Sequence, residues 1–455
     1  MAAVKKKGQF LITEFEEMKK IILAIPTLAL LLLGAHALRQ GDFGLTAAFV
    51  LLVGLVVTRQ AWVRLALIAA LMWGGFIWAD TTVEFINLRQ ALDMPWKRLA
   101  GIMAGVIVFD SFALWVLIGK TCRKFFYKNE EQAIARAAMF VLATIGLAMA
   151  RTKVSFPILL ADRYFPGWGW LEIILLGYYA QWIGGLMLSP KGHRTYRPRV
   201  WGMFSAVFFG QLALGLLGMD KMLMTGNLHL PVPALIAAGP VFRGDGFFMI
   251  ILFSVTLLLV GPAWCSHLCY IGAWDDAMSR LGKRPAPNAL LGRLSVTARV
   301  TTLILAIGVA LLLRSMGAPG LAAVMIAAAF GLVGVGVMVF ISRKAGMMAH
   351  CTAFCPMGIA ANIFGKISPW RIRIDSDCTK CGACFTRCRY NALDERRVEL
   401  GSPAISCTMC GDCVSACAHQ QIGYRFPGLS ADTSRTVFIV IVVSLHAIFL
   451  GVARI

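Results

Sequence analysis

Eight cysteines near the C-terminal end of the chain form two runs of identical spacing. Cys378-x2-Cys381-x2-Cys384-x3-Cys388 is followed by Cys407-x2-Cys410-x2-Cys413-x3-Cys417. Three thiolates two residues apart wrap a tight loop around one corner of an iron–sulfur cubane, where backbone N–H groups can face the sulfides. Where two such runs occur together, the fourth cysteine of each serves the opposite cubane. The spacing therefore assigns Cys378, Cys381, Cys384 and Cys417 to one [4Fe–4S] cluster. Cys407, Cys410, Cys413 and Cys388 hold the other. Two zinc sites would use the same ligand type, but evenly spaced fours twice over favour cubanes. Such runs usually end Cys-Pro; here Arg389 follows Cys388 and Ala418 follows Cys417. Lys380, Arg387 and Arg389 bring positive charge close, which favours the reduced cluster. Potentials above about −400 mV are expected.

A second pattern is a pair of C-x3-C motifs, Cys265-Ser-His-Leu-Cys269 and Cys351-Thr-Ala-Phe-Cys355-Pro356. A separation of four puts both thiols on one face of a helical turn. Two such turns on neighbouring helices supply four soft ligands to one centre. That suits a third iron–sulfur cluster first and copper(I) or zinc second. A structural or redox-active dithiol is the alternative. His267 lies inside one motif and His350 directly precedes the other, so both are neighbouring ligand candidates or plain interfacial histidines.

Other residues carry weaker signals. Asp110 sits within an apolar run, where a carboxylate costs several kcal/mol on most estimates; it is a proton-path candidate or a hydrogen-bonded packing residue. Glu172 lies near the start of another run. His36 and His446 are the two histidines inside expected spans and the only pair open to a bis-histidine haem. Cys122, beside Arg123 and Lys124, is read as incidental. Gly74–Gly75, Gly184–Gly185, Gly331, Gly334 and Gly336 suit close helix packing; none forms a dinucleotide-binding loop.

The elements that position these residues follow from composition. The chain has 455 residues, of which 58% are hydrophobic and 15% charged. Soluble domains carry about 45–50% apolar and about 25% charged residues, so a polytopic membrane protein is expected. A span needs about 17–25 mostly apolar residues. Eleven segments qualify: 21–38, 43–57, 62–79, 100–118, 134–150, 171–189, 201–219, 247–263, 296–313, 321–341 and 435–453. About three-quarters of the 44 Lys and Arg fall in alternate loops beginning with the N-terminus. By the positive-inside rule the N-terminus and the cysteine runs are cytoplasmic and the C-terminus is periplasmic. The net charge of +21 is then a topology signal and an attraction to anionic lipid. It does not point to nucleic acid, because the basic residues sit in short juxtamembrane loops. No cleavable leader is expected. Twelve of the 13 cysteines follow residue 264, which argues against a spread disulfide framework. Residues 4–20 read as an interfacial helix, with a Thr13–Glu16 capping box and Phe10, Leu11, Phe15 and Met18 facing the bilayer, or as a basic tail. The aromatic loop 151–170 and the proline-broken stretch Leu228 to Phe242 could shape a quinone or partner site, or be a belt and a loop.

The order of spans, C-x3-C, two spans, C-x3-C-P and a two-cluster ferredoxin run resembles the membrane polyferredoxins of the NapH, NosR and CcoG (RdxA/FixG) type. The resemblance covers about residues 200–430. It implies electron transfer at the cytoplasmic membrane: quinol-derived electrons for NapH-type members, support of nitrous-oxide reductase for NosR-type ones, copper handling for oxidase assembly in CcoG-type ones. It also implies that Cys265, Cys269, Cys351 and Cys355 act together. Tyr270 stands where the first motif usually has proline, and nothing resembles the flavin-bearing domain of NosR.

The expected architecture is an all-α polytopic membrane protein of about eleven helices with a small α+β two-cluster ferredoxin-like domain on the cytoplasmic face. Its parts are an interfacial segment (1–20), an N-terminal bundle (21–199), a polyferredoxin-type core (200–370), the ferredoxin-like domain (371–430) and a last helix (435–455). The expected function is electron transfer, as a subunit, between a quinone pool or cytoplasmic donor and a partner oxidoreductase. The alternatives are a copper-reducing assembly factor and an electron-coupled pump.

Overall fold

The computed structural model describes residues 23–223, 230–282 and 285–452. The interfacial helix expected over 4–20 lies outside them. Each of the eleven expected segments overlies a helix. Among the described residues eight helices are long and apolar enough to cross a membrane: Ala61–Ala91, Lys97–Ile118, Glu130–Lys153, Pro190–Leu216, Phe248–His267, Gly292–Ser315, Gly320–Ala345 and Ala431–Val452. Leu23–Arg39 and Phe43–Thr58 are apolar but shorter. Gly169–Met187 is a helix of 19 residues, but Glu172, Tyr178, Tyr179 and Gln181 dilute it. Outward positions on the long helices stay apolar, as Ile304, Leu305, Leu312, Leu321 and Leu332 show. A water-facing protein rarely leaves so continuous an apolar surface.

The chain divides into two compact units, residues 1–181 and 182–455. The boundary expected at residue 199 falls inside the helix Pro190–Leu216, which Ser189 caps by accepting the Gly192 N–H at 3.1 Å. In the first unit Leu30, Leu33, Trp62, Leu67, Leu71 and Phe140 form the core. Gly74 lets Leu33 pack close, since a Cβ there would stand 2.4 Å from Leu33 Cδ1 and the leucine would have to shift. Gly336, by contrast, has open space around it, so close packing does not explain that glycine.

In the second unit the helices are interrupted where the cysteines lie. Phe248–Val260 ends at Gly261, whose φ of +60° no side chain adopts readily, followed by Pro262. The turn Trp264–His267 leads to Cys269, which caps the helix Tyr270–Leu281. Farther on, Gly320–Gly336 passes into a π-helical stretch, Val337–Ser342. A second π-turn, His350–Phe354, leads to Cys355, which caps Pro356–Phe364. Strand β1 (Arg371–Ile374) then pairs antiparallel with β2 (Ile422–Arg425), in the register Arg371 with Arg425 and Ile374 with Ile422. Tyr424 stacks on Phe438 with ring centroids 4.4 Å apart, and Trp370 packs on the same ring at 5.4 Å. The sheet is thereby seated on the helix Ala431–Val452.

Candidate metal centres

None of the 13 cysteines is in a disulfide, and twelve of them gather into three groups of four. The first lines one hollow of about 370 Å³, mouth included, whose walls carry Cys378, Cys381, Cys384 and Cys417. The β1–β2 ladder explains the meeting. It holds Ile374, just before the first run, beside Ile422, just after the second. Cys381 is exposed and the other three are half-buried.

The second group is Cys388, Cys407, Cys410 and Cys413. Cys388 acts electrostatically on each of the other three, so the fourth cysteine of each run lies with the opposite run. The two loops have the same backbone path. Lys380 and Met409 are left-handed (φ +53° and +54°), and so are Gly382 and Gly411 (φ +77° and +80°). Alternating left- and right-handed residues turn successive N–H groups to one side, making an anion-accepting nest. The Ala392 N–H meets Cys388 Sγ at 3.3 Å. Burial pushes the Cys407 thiol up to about 12, the Met409 N–H partly opposing it. A thiol so placed is neutral until a metal displaces its proton.

The third group is the paired C-x3-C set. Cys265, Cys269 and Cys355 share one buried apolar cluster, and Cys351 is coupled electrostatically to all three. The two motifs are built alike. Each second cysteine is extended, with φ, ψ of −77°, 113° at Cys269 and −70°, 118° at Cys355, and stands at a helix N-terminus. The N–H groups of Ile271 and Gly272 point at Cys269, and those of Met357 and Gly358 at Cys355. Helix N-termini stabilise negative charge. In both motifs a glycine follows three residues on. A Cβ on Gly272 would stand 2.8 Å from Cys265 O, and one on Gly358 2.8 Å from Cys351 O. Burial pushes the Cys269 thiol up to about 12, with Cys355 adding to the rise.

Two charged residues face this third group. Asp275, fully buried, accepts the Cys351 N–H at 2.9 Å, while its Oδ1 has no partner. Burial pushes its carboxyl up to about 6. Arg299, 1% exposed, interacts with Cys265, Cys355 and Cys351.

The second and third groups are joined by buried contacts. Ser266 Oγ donates to Thr408 O at 2.9 Å. Tyr390 packs with Cys351, Cys388, Cys407 and Cys410 around Trp201 and Met348. Arg197 reaches Asp412 at 3.1 Å and Asp276 at 3.5 Å, and Arg280 reaches the same two carboxylates at 3.1 and 2.6 Å. Arg389 occupies the place where a ferredoxin run usually has proline. It donates to Ser279 O at 2.7 Å and Gly346 O at 2.9 Å, so it anchors the loop. Lys380 instead pairs with Glu399 at the surface, at 3.2 Å.

The remaining candidates sit elsewhere. His267 Nε2 faces His193 Nε2 at 3.3 Å and its Nδ1 lies 3.0 Å from Ser266 Oγ, so both ring nitrogens have close polar neighbours. His350 packs against Gly334 and Phe354, and burial lowers it to about 4. His36 belongs to the first unit, against Trp78 and Thr81. His446 belongs to the second, against Phe204 and His267 O. They were expected to be the only histidines inside spans. The helix Pro190–Leu216 starts earlier than expected and includes His193 as well, and Phe248–His267 runs far enough to include His267. Asp110 is buried with Oδ1 unpartnered. Glu172 accepts the Ala161 N–H at 2.7 Å, which ties loop 151–170 together with the Arg151–Asp162 ion pair at 2.6 Å. Cys122 is buried apart from the other cysteines. Part of the stretch Leu228 to Phe242 is the helix Leu235–Arg243, with Ile236, Ala238, Gly239 and Pro240 buried; residues 224–229 lie outside the description.

Sequence reasoning missed Arg197, Arg299, Asp275 and Tyr390. For Arg299 the signal was present: a lone arginine inside an expected span is a functional candidate by default. The C-x3-C-x2-G repeat was likewise open to reading.

The donor sets fit iron–sulfur clusters. Each has four free thiols met by backbone N–H groups or helix ends, and the buried guanidinium of Arg299 balances thiolate charge. Among the described residues no three His, Cys, Asp or Glu side chains converge tightly enough to hold a single metal ion. A cubane, whose four ligands bind four different irons, needs no such convergence. Residues 246–287 and 327–375 match a family model described as a 4Fe-4S binding domain. No curated protein and no solved structure matches the chain. The matched residues contain Cys265, Cys269, Cys351 and Cys355, so an iron–sulfur segment occupies the part of the chain that carries both C-x3-C motifs.

Proposed function

We propose that this chain is a membrane-bound iron–sulfur electron-transfer subunit. It passes electrons between a quinone pool or cytoplasmic donor and a partner oxidoreductase. The observation that carries the reading is the gathering of twelve cysteines into three groups of four. Cys378, Cys381, Cys384 and Cys417 hold one [4Fe–4S] cluster, Cys388, Cys407, Cys410 and Cys413 a second, and Cys265, Cys269, Cys351 and Cys355 a third. When bound, such a cluster takes up and releases single electrons, and the protein supplies ligands, surroundings and positioning. The Ile271, Gly272, Met357 and Gly358 N–H groups receive thiolate charge in the third group, and apolar packing around Trp201 and Met348 excludes water between the second and third. Eleven spans in a bacterial cytoplasmic membrane, with the N-terminus and ferredoxin-like domain inside and the C-terminus outside, accord with the charge bias of the loops. The resemblance to NapH-, NosR- and CcoG-type polyferredoxins is to this module and not to one physiological pathway.

Iron and acid-labile sulfide analysis with EPR on anaerobically purified protein tests this. About twelve irons per chain are expected, falling to about eight when Cys265, Cys269, Cys351 and Cys355 are changed to Ser. About eight in both, with copper bound by the unaltered protein alone, would replace the reading by a copper-handling assembly factor.

A further inference from the structure

Arg299 is a buried cation in the helix Ala289–Ser315. Its Nε donates to Ser295 O at 3.1 Å, one helical turn back. Its Nη2 is buried and has no hydrogen-bond partner. A Cβ on Gly358 would lie 3.6 Å from Nη1 and 2.8 Å from Cys351 O, so the guanidinium stands over the helix turn capped by Cys355. The neighbouring Thr302 hydroxyl donates to Phe354 O at 3.0 Å, inside the second C-x3-C motif, and fixes the helix there. A buried, unpaired guanidinium is costly unless a negative group lies against it. The thiols of the third group are what it faces. The Asp275 carboxylate accepts the Cys351 N–H, while Arg197 and Arg280 are both engaged by the adjacent carboxylate, Asp276.

We propose that Arg299 is the counter-cation of the centre held by Cys265, Cys269, Cys351 and Cys355, and that Arg299 and Asp275 set its reduction potential with opposite signs. This rests on the reading that the third group holds an iron–sulfur cluster. Reduction adds one electron to the centre and leaves its bonds to the thiolates in place. A fixed positive charge favours that form and a fixed negative charge opposes it. Neither residue is a ligand; both act by position.

The test is an EPR-monitored redox titration of the full-length protein in detergent, with dithionite as reductant. Unaltered protein is compared with Arg299→Gln, Arg299→Lys and Asp275→Asn, and iron is counted in each. Arg299→Gln is expected to lower the potential of the third centre by about 60 mV or more, a tenfold change in a one-electron equilibrium constant. Arg299→Lys restores most of the loss, Asp275→Asn moves the potential upward, and the two ferredoxin-type centres shift little. Loss of the third centre's iron from Arg299→Gln alone, with retention in Arg299→Lys, would also support the role. An unchanged potential in Arg299→Gln with iron retained overturns it, as do same-sign shifts in Arg299→Gln and Asp275→Asn. If both Arg299 variants fail to fold, Asp275→Asn decides: a rise supports the proposal and no change overturns it. Only about eight irons in the unaltered protein would be a failure of the underlying reading, visible before any variant is titrated.

Discussion

The paired C-x3-C group and the ferredoxin-type groups solve one problem in two ways. To hold the clusters proposed for them, each must present four thiolates and enough N–H groups to make their charge tolerable. In the ferredoxin-like module the N–H groups come from loops in which left-handed residues alternate with right-handed ones, at Lys380, Gly382, Met409 and Gly411. In the C-x3-C group they come from two helix N-termini capped by Cys269 and Cys355. Loops of the first kind suit a small module with an open side, and Cys381 is exposed there. Helix ends suit the interior of a helical bundle, where backbone groups must be satisfied locally. The difference extends to charge. The second group has Arg197 balanced by Asp276 and Asp412, whereas the third has Arg299 without a carboxylate partner of its own.

The strongest way to break this comparison is to uncouple the two regions. Arg197→Met leaves Asp276 and Asp412 buried with only Arg280. Removing one partner from a buried ion pair costs about 3–5 kcal/mol. We expect a large fall in thermal stability and loss of iron from the ferredoxin-type groups before the C-x3-C group, followed by iron content on heating. Gly411→Ala is next. It forces a side chain into a left-handed residue, at about 1–2 kcal/mol, and its Cβ would stand 2.6 Å from both His193 and the Tyr424 hydroxyl. It should loosen the second group while the EPR signature of the C-x3-C group stays unchanged; equal damage to both would show that the loops and helix ends are not independent solutions. The smallest effect is expected for Glu399→Ala, which removes the exposed Lys380–Glu399 pair. Stability should change by no more than about 0.5 kcal/mol and iron content not at all; a larger change would mean that the outer loop relies on surface charge.

Much of this was legible in residue order. The cysteine runs fix their own loops, and the apolar segments are long enough to be read one by one. The α+β character of 371–430 follows from the same runs. What could not be read was contact between distant residues. Arg197 and Asp412 lie 215 positions apart, and nothing local in either marks the other. The same holds for Ser266 and Thr408, whose hydrogen bond joins loops that are adjacent only after folding. The position of His267 between two cysteines suggests a ligand, but its buried ring nitrogens lie against His193 and Ser266, contacts that nothing in the motif announces. Arg389 reads from sequence as a charge beside Cys388; its second task, donating to two distant backbone carbonyls, is visible only in the fold.

The β1–β2 ladder has a consequence for the order of events during synthesis. Its second strand, Ile422–Arg425, is made almost fifty residues after the first and only just before the helix Ala431–Val452. Until the ribosome has passed Arg425, Cys417 has nothing to hold it beside Cys378, and Cys388 waits on Cys407 through Cys413. The four cysteines of the C-x3-C group are complete by Cys355, well before that point. The ligand sets are therefore completed in stages along the chain: the inner group first, the group of Cys388 at Cys413, and the group of Cys378 only once Cys417 is held by the ladder.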